Sequence, residues 1–196
     1  MGSIAPVPEP SAVADSVRLA WPGEAADVAA VQRRAWADLP ETVGSALLGS
    51  VDEATMVQAW EQVLARPADA RRRVLAAVSG LGRVVGFATT GPSDDPDAEP
   101  SRDGEVDQFW IDPPARRNGH GSRLLNACAD TLRADGFVRA RWWVLAGDVP
   151  LRRFLAVAGW EPDGATRTIG DDDGAVTLEQ VRLHTSLDDP EDTSRA

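Results

Sequence analysis

The run Arg116-Arg117-Asn118-Gly119-His120-Gly121-Ser122 holds the residues best spaced for binding chemistry. Two glycines stand two apart among basic residues, directly before an amphipathic helical pattern. The first N–H groups of a helix have no partner inside it, and the helix dipole adds positive potential there. A glycine-rich turn at that point therefore suits an anion, a phosphate above all. Upstream, Glu105 and Asp107 stand two apart in an alternating run, so a strand would point both carboxylates to one face.

These residues need an element on either side. The run Glu105–Ile111 alternates as a strand, and Pro113-Pro114 stops it. Downstream, Leu124, Leu125, Cys128, Ala129 and Leu132 repeat at helical spacing, and Gly136 is placed to end that helix. The same reading gives strands over Ser16–Ala20, Arg73–Val78, Arg83–Thr89, Arg139–Leu145, Trp160–Ile169 and Thr177–Thr185. Glu24–Asp38 and Val51–Ala65 read as helices, with Glu41–Gly49 a short helical piece between them. Asp148 is placed as the N-cap of another helix, which carries Pro150 in its first turn and runs to Ala158. The result is one α/β domain over residues 16–187. A Pro/Ala/Ser-rich arm (1–15) precedes it and a polar, acidic tail (188–196) follows, both expected to be disordered.

Composition excludes several classes. With a net charge of −11 over 196 residues, neither nucleic acid nor an anionic membrane surface is expected as a partner. The single cysteine, Cys128, cannot form an internal disulfide. Two histidines, His120 and His184, make a metal site improbable, and none is expected. No hydrophobic run spans a bilayer, and no signal-peptide pattern opens the chain, so a cytoplasmic location is expected.

Three phosphate loops compete for the glycine run. A nucleotide-hydrolysing P-loop needs Gly-Lys-Ser/Thr, and Gly121-Ser122 lacks the lysine. A dinucleotide fingerprint needs Gly or Ala where Leu124 stands. An acyl-CoA pyrophosphate loop is the third. Here the sequence resembles the GNAT (Gcn5-related) N-acetyltransferases. Arg116–Gly121 is similar to their Arg/Gln-x-x-Gly-x-Gly/Ala signature. Phe109-Trp110-Ile111-Asp112-Pro113 looks like its lead-in, and Val144-Leu145 through Asp148, Arg153-Phe154-Leu155 and Gly159-Trp160 is similar to a second motif.

The resemblance implies a mixed, mostly antiparallel sheet flanked by helices, with two central strands splayed. It implies acetyl-CoA as cosubstrate, its pyrophosphate on the N–H groups from Arg117 to Ser122 and its pantetheine arm along Trp110, Ile111 and Asp112. Arg116, Asn118, Gly119, His120 and Gly121 complete the loop. A partly exposed side chain is expected for His120. Asp148 stands where the family has Asn near the thiol, although its N-cap role is the stronger reading. Arg152 or Arg153 is placed to reach the 3′-phosphate. A small-molecule or peptide amine would attack the thioester directly, with Glu105 as base and Asp107 second. Trp36, Asp38, Glu41 and Trp60 are candidate acceptor residues, with Asp171–Asp173 nearby, and the acids suit a cationic amine. Homodimers are common in the family. Its usual tyrosine acid is replaced by Leu155, and the chain has no tyrosine. That departure supports a rival reading, a CoA-binding sensor or interaction module without turnover.

Overall fold

The computed structural model describes residues 15–170 and 177–188. Residues 1–14 of the arm, the tail beyond Asp188 and the acidic residues Asp171–Asp173 lie outside them. Seven strands form one sheet: β1 (Ser16–Leu19), β2 (Arg73–Val78), β3 (Val84–Pro92), β4 (Asp103–Ile111), β5 (Arg139–Leu145), β6 (Glu161–Gly170) and β7 (Thr177–Ser186). Their order is β1-β2-β3-β4-β5-β7-β6. Among the described residues five α-helices, α1 (Ala25–Ala37), α2 (Glu41–Ser50), α3 (Glu53–Ala65), α4 (His120–Ala134) and α5 (Val149–Val157), accompany the sheet.

The apolar run of β2 is buried on both faces. Val74, Ala76 and Val78, joined by Val84 and Phe87 of β3, pack with Val28 and Val31 of α1 and with Met56 and Trp60 of α3. Leu75 and Ala77, with Val106 of β4, pack under Leu124, Leu125, Cys128 and Leu132 of α4. A sheet covered on both sides needs near-continuous hydrophobic strands, and the sequence supplies them at its centre.

The sequence pattern locates every strand, with two differences of more than one residue in strand bounds. It also separates α2 from α3, and Asp52 caps the second: its carboxylate accepts from the N–H (2.9 Å) and hydroxyl (2.7 Å) of Thr55. β3 continues past Thr89 to Pro92, and β4 begins at Asp103, because the ladder runs on to Pro92↔Gly104. Pro92 is tolerated because it ends its strand.

Two irregularities set up the centre. Every neighbouring pair is antiparallel except β4 and β5, which run parallel and pair only at Asp103↔Arg139, Gly104↔Ala140 and Glu105↔Arg141. Beyond Glu105 the two strands part. At the same point β4 bulges: Ala88↔Phe109 and Thr90↔Val106 leave Asp107 and Gln108 both opposite Thr89. Val106 and Phe109, three apart, consequently pack into the same core.

Gly86 lets β3 and β4 close up beside this region. A Cβ there would lie 2.5 Å from Ile111 Cδ1 and 2.9 Å from the Trp110 carbonyl oxygen. Gly86→Val is therefore expected to destabilise the fold by about 1–3 kcal/mol through overpacking. A shift of the denaturation midpoint at constant m-value measures it.

Candidate functional site

The parting strands open toward the N-terminus of α4. Gly119 is its N-cap residue, left-handed with φ 81°, a conformation glycine adopts without a Cβ penalty. Arg117 also has a positive φ, 64°. No side chain caps α4, and its first turn carries no acid. The helical ladder starts where Arg123 N–H donates to the Gly119 carbonyl (3.1 Å). The N–H groups of His120, Gly121 and Ser122 thus have no partner within the helix. A Cβ on Gly121 would meet only Ile111 Cγ1 at 3.8 Å and Phe154 Cζ at 4.0 Å, so Gly121 sits between β4 and α5. This backbone geometry and the helix dipole suit an anion.

The side chains around it divide. Arg117, Asn118 and Ser122 are exposed. Arg116 is exposed too, donates to the Ile111 carbonyl (3.3 Å) and pairs with Asp38 at the end of α1. His120 departs from the expectation of partial exposure: it is 6% exposed, one and two turns before Leu124 and Cys128 on the buried stripe. Its Nε2 lies 3.9 Å from an Asp15 carboxylate oxygen.

Trp110 and Ile111 form the half-buried end of β4. Asp112 turns its carboxylate to Arg34 of α1 in a two-point pair of 2.9 and 2.8 Å, and its N–H donates to the Val85 carbonyl. Asp112 therefore anchors the loop to α1 and β3. On the opposite wall, Asp148 caps α5 by accepting from Leu151 N–H (3.0 Å). Arg152 donates to the Ala146 carbonyl (2.9 Å), whereas Arg153 is exposed. Leu155 is wholly buried in the α4-side core, so its position serves packing. Burial pushes the Cys128 thiol up to about 12, which removes it as a nucleophile near neutral pH.

Glu105 stands at the last rung before the strands part. Its half-buried carboxylate accepts from Asp94 N–H (3.2 Å) and lies 3.9 Å from Arg72. Burial raises its pKa above the ordinary carboxylate range, with the neighbouring Asp107 and Asp94 charges adding to the rise. Asp107 is exposed in the bulge. Among the acceptor candidates, Trp36 is half-buried and Glu41 is exposed in the first turn of α2. Trp60 belongs to the core: its indole N–H donates to Gln32 (2.8 Å) and its ring stands edge-on to Phe87.

Sequence reasoning missed a charge network beside Glu105. The β3–β4 loop lies across β5 and β7. Its Asp97 pairs with Arg141 (2.8 Å) and Arg182 (2.6 Å), and its Asp95 accepts from the Trp143 indole (2.8 Å). At the loop's end Asp103, 1% exposed, accepts from Arg139 (2.7 and 2.8 Å) and from Glu99 N–H (2.9 Å), and lies 3.0 Å from Arg141. Arg182 and Arg141 hold the Asp97 carboxyl well below its usual range. A signal for it did exist: Arg139 and Arg141 alternate with the core residues Ala140, Trp142 and Val144, so that face of β5 needed acidic partners.

A sequence profile of the acetyltransferase (GNAT) family matches residues 31–160. No curated protein matches the chain. Its fold is similar to that of an N-acetyltransferase from Staphylococcus aureus Mu50, with TM-score 0.69, 17% identity and coverage of 89% of this chain and 99% of the other. It is similar to the ribosomal-protein-alanine N-acetyltransferase from Brucella melitensis, with TM-score 0.65, 21% identity and coverage of 87% and 98%. It is also similar to yncA from Salmonella typhimurium with its cofactor acetyl-CoA, with TM-score 0.65, 17% identity and coverage of 89% and 95%.

Asp103 gives the site its acid dependence. Burial alone would raise its pKa, but Arg139, the Glu99 N–H and Arg141 together hold it below the ordinary value. Its stabilising contribution is complete above about pH 4 and is lost as pH falls through the depressed folded-state value. Asp103→Ala, which leaves two arginines short of a partner, is expected to cost about 3–5 kcal/mol at neutral pH. The gap to the parent should narrow on acidification in denaturant titrations.

Proposed function

The chain belongs to the acetyltransferase (GNAT) family and is an acyltransferase, and from that premise we propose that it moves an acetyl group from acetyl-CoA to a primary amine by direct attack at the parted strands. The observation that carries this reading is the uncapped N-terminus of α4 at the mouth of the opening between β4 and β5. The N–H groups from Arg117 to Ser122, with Arg116 and Arg153 nearby, suit a pyrophosphate and a 3′-phosphate, and charge-assisted bonds there are the strong kind. The β4 edge at Trp110 and Ile111, left without a β5 partner, suits the amides of the pantetheine arm, as an added strand would. Acetyl-CoA supplies the activated thioester.

Glu105 is the proposed base, with Asp107 second. The raised pKa of Glu105 equips it to accept a proton from the incoming ammonium, directly or through water. The neutral amine then forms the C–N bond as the C–S bond breaks, and the nitrogen gives its second proton to water. Leu155 cannot protonate the departing sulfur; a thiol of ordinary acidity (pKa about 8.5) leaves as thiolate and takes its proton from water. The acceptor is a small amine or a peptide amine. Trp36, Glu41 and the Asp38 end of α1 form its proposed entrance, which favours a positively charged amine.

Thiol release from acetyl-CoA across an amine panel tests the reading: turnover on at least one amine is expected, and tight CoA binding with turnover on none overturns it. In the wild type kcat/KM should rise with pH through a value above the usual glutamate range. Glu105→Gln should remove that limb and lower kcat by about 10²–10⁴-fold; an unchanged profile rejects Glu105 as base. Gly121→Trp should fold but lose acetyl-CoA binding in calorimetry, and normal binding by it rejects the loop assignment.

A further inference from the structure

The bulge in β4 is held by a side chain from the neighbouring strand. Two residues, Asp107 and Gln108, face the single residue Thr89. The Gln108 N–H donates to the Thr89 hydroxyl oxygen, at 2.9 Å. The Gln108 side chain is fixed as well, since its amide oxygen accepts from the Trp110 indole N–H at 2.7 Å. Trp110 in turn packs against the α1-side core. Thr89, Gln108 and Trp110 therefore form a short chain that pins the extra residue in one conformation. A bulge without such a pin has an unpaired N–H and slips easily.

The position of this pin gives it consequences. The bulge begins one residue after Val106, and β4 loses its β5 partner after Glu105. It thus lies on the first part of β4 that borders the opening. An added residue re-aims the side chains and peptide groups beyond it. The packing of Val106 and Phe109 into one core demonstrates that change of phase. Asp107, the second carboxylate of the site, sits within the bulge itself.

We propose that Thr89 is a positioning residue for acetyl transfer: its hydroxyl sets the bulge and so aims Asp107 and the β4 peptide groups at the reacting thioester. The proposal rests on the acetyl-transfer reading above. Valine at this position keeps the β-branched shape and strand preference while removing the acceptor. Serine keeps the acceptor and loses only a methyl group.

Thr89→Val should lower kcat by about 10–100-fold, because a reacting group misplaced by an ångström costs on that order. Thr89→Ser should recover kcat to within about threefold of wild type. Amide hydrogen exchange at Gln108 should be at least about tenfold faster in Thr89→Val than in Thr89→Ser, a readout independent of turnover. Wild-type kcat in Thr89→Val, equal losses in the two variants, or unchanged exchange at Gln108 overturns the proposal and leaves the acetyl-transfer reading standing. Absence of turnover by the wild type on any amine overturns both.

Discussion

β4 and β5 share three rungs and then separate, and the rest of the site depends on that short parallel ladder. Parallel neighbours need a long crossover, and here the crossover is α4 with its preceding loop. The loop must climb from the end of β4 to the start of the helix, which brings the uncapped N–H groups of His120, Gly121 and Ser122 over the gap. Two consequences follow from one constraint. The separated strands leave hydrogen-bonding edges unpaired, and the connecting helix directs positive potential toward them.

A gap in a sheet has to be held open without letting the two halves drift. The fold meets that need with charge on one side and apolar packing on the other. Val106, Phe109, Trp142, Val144 and Leu155 belong to a single core that runs beneath both strands. Across the other face the β3–β4 loop ties Asp95, Asp97 and Asp103 to arginines of β5 and β7. Buried ion pairs contribute little net stability compared with apolar replacements, yet losing one partner is costly. Such a network therefore favours one arrangement of the loop beside Glu105. At the other end, the buried Asp112 pairs with Arg34 and the exposed pair Arg116–Asp38 adds a second link from α1 to the loop before α4.

Much of this was legible in the sequence because it is local. The bounds of β2 and β5, the capped start of α5 and the glycine run before α4 follow from periodicity, N-cap chemistry and breakers in neighbouring residues. The extension of β3 to Pro92 was less legible, since it depends on a ladder partner. The acidic partners of the charge network and the β4 bulge were not legible. Asp97 lies 85 positions from Arg182 in the chain, and Thr89 lies 19 from Gln108. His120 illustrates the same limit from the other side: its loop motif suggested exposure, but its phase on α4 assigns it to the buried stripe with Leu124 and Cys128.

The claim that the opening between β4 and β5, with the start of α4, holds acetyl-CoA is tested most directly by hydrogen–deuterium exchange of the full chain with and without acetyl-CoA. Slower exchange is expected in two separate stretches, Arg117–Ser122 and Phe109–Ile111, with β6 unchanged. Binding that slows exchange elsewhere while leaving both stretches as they were would contradict it.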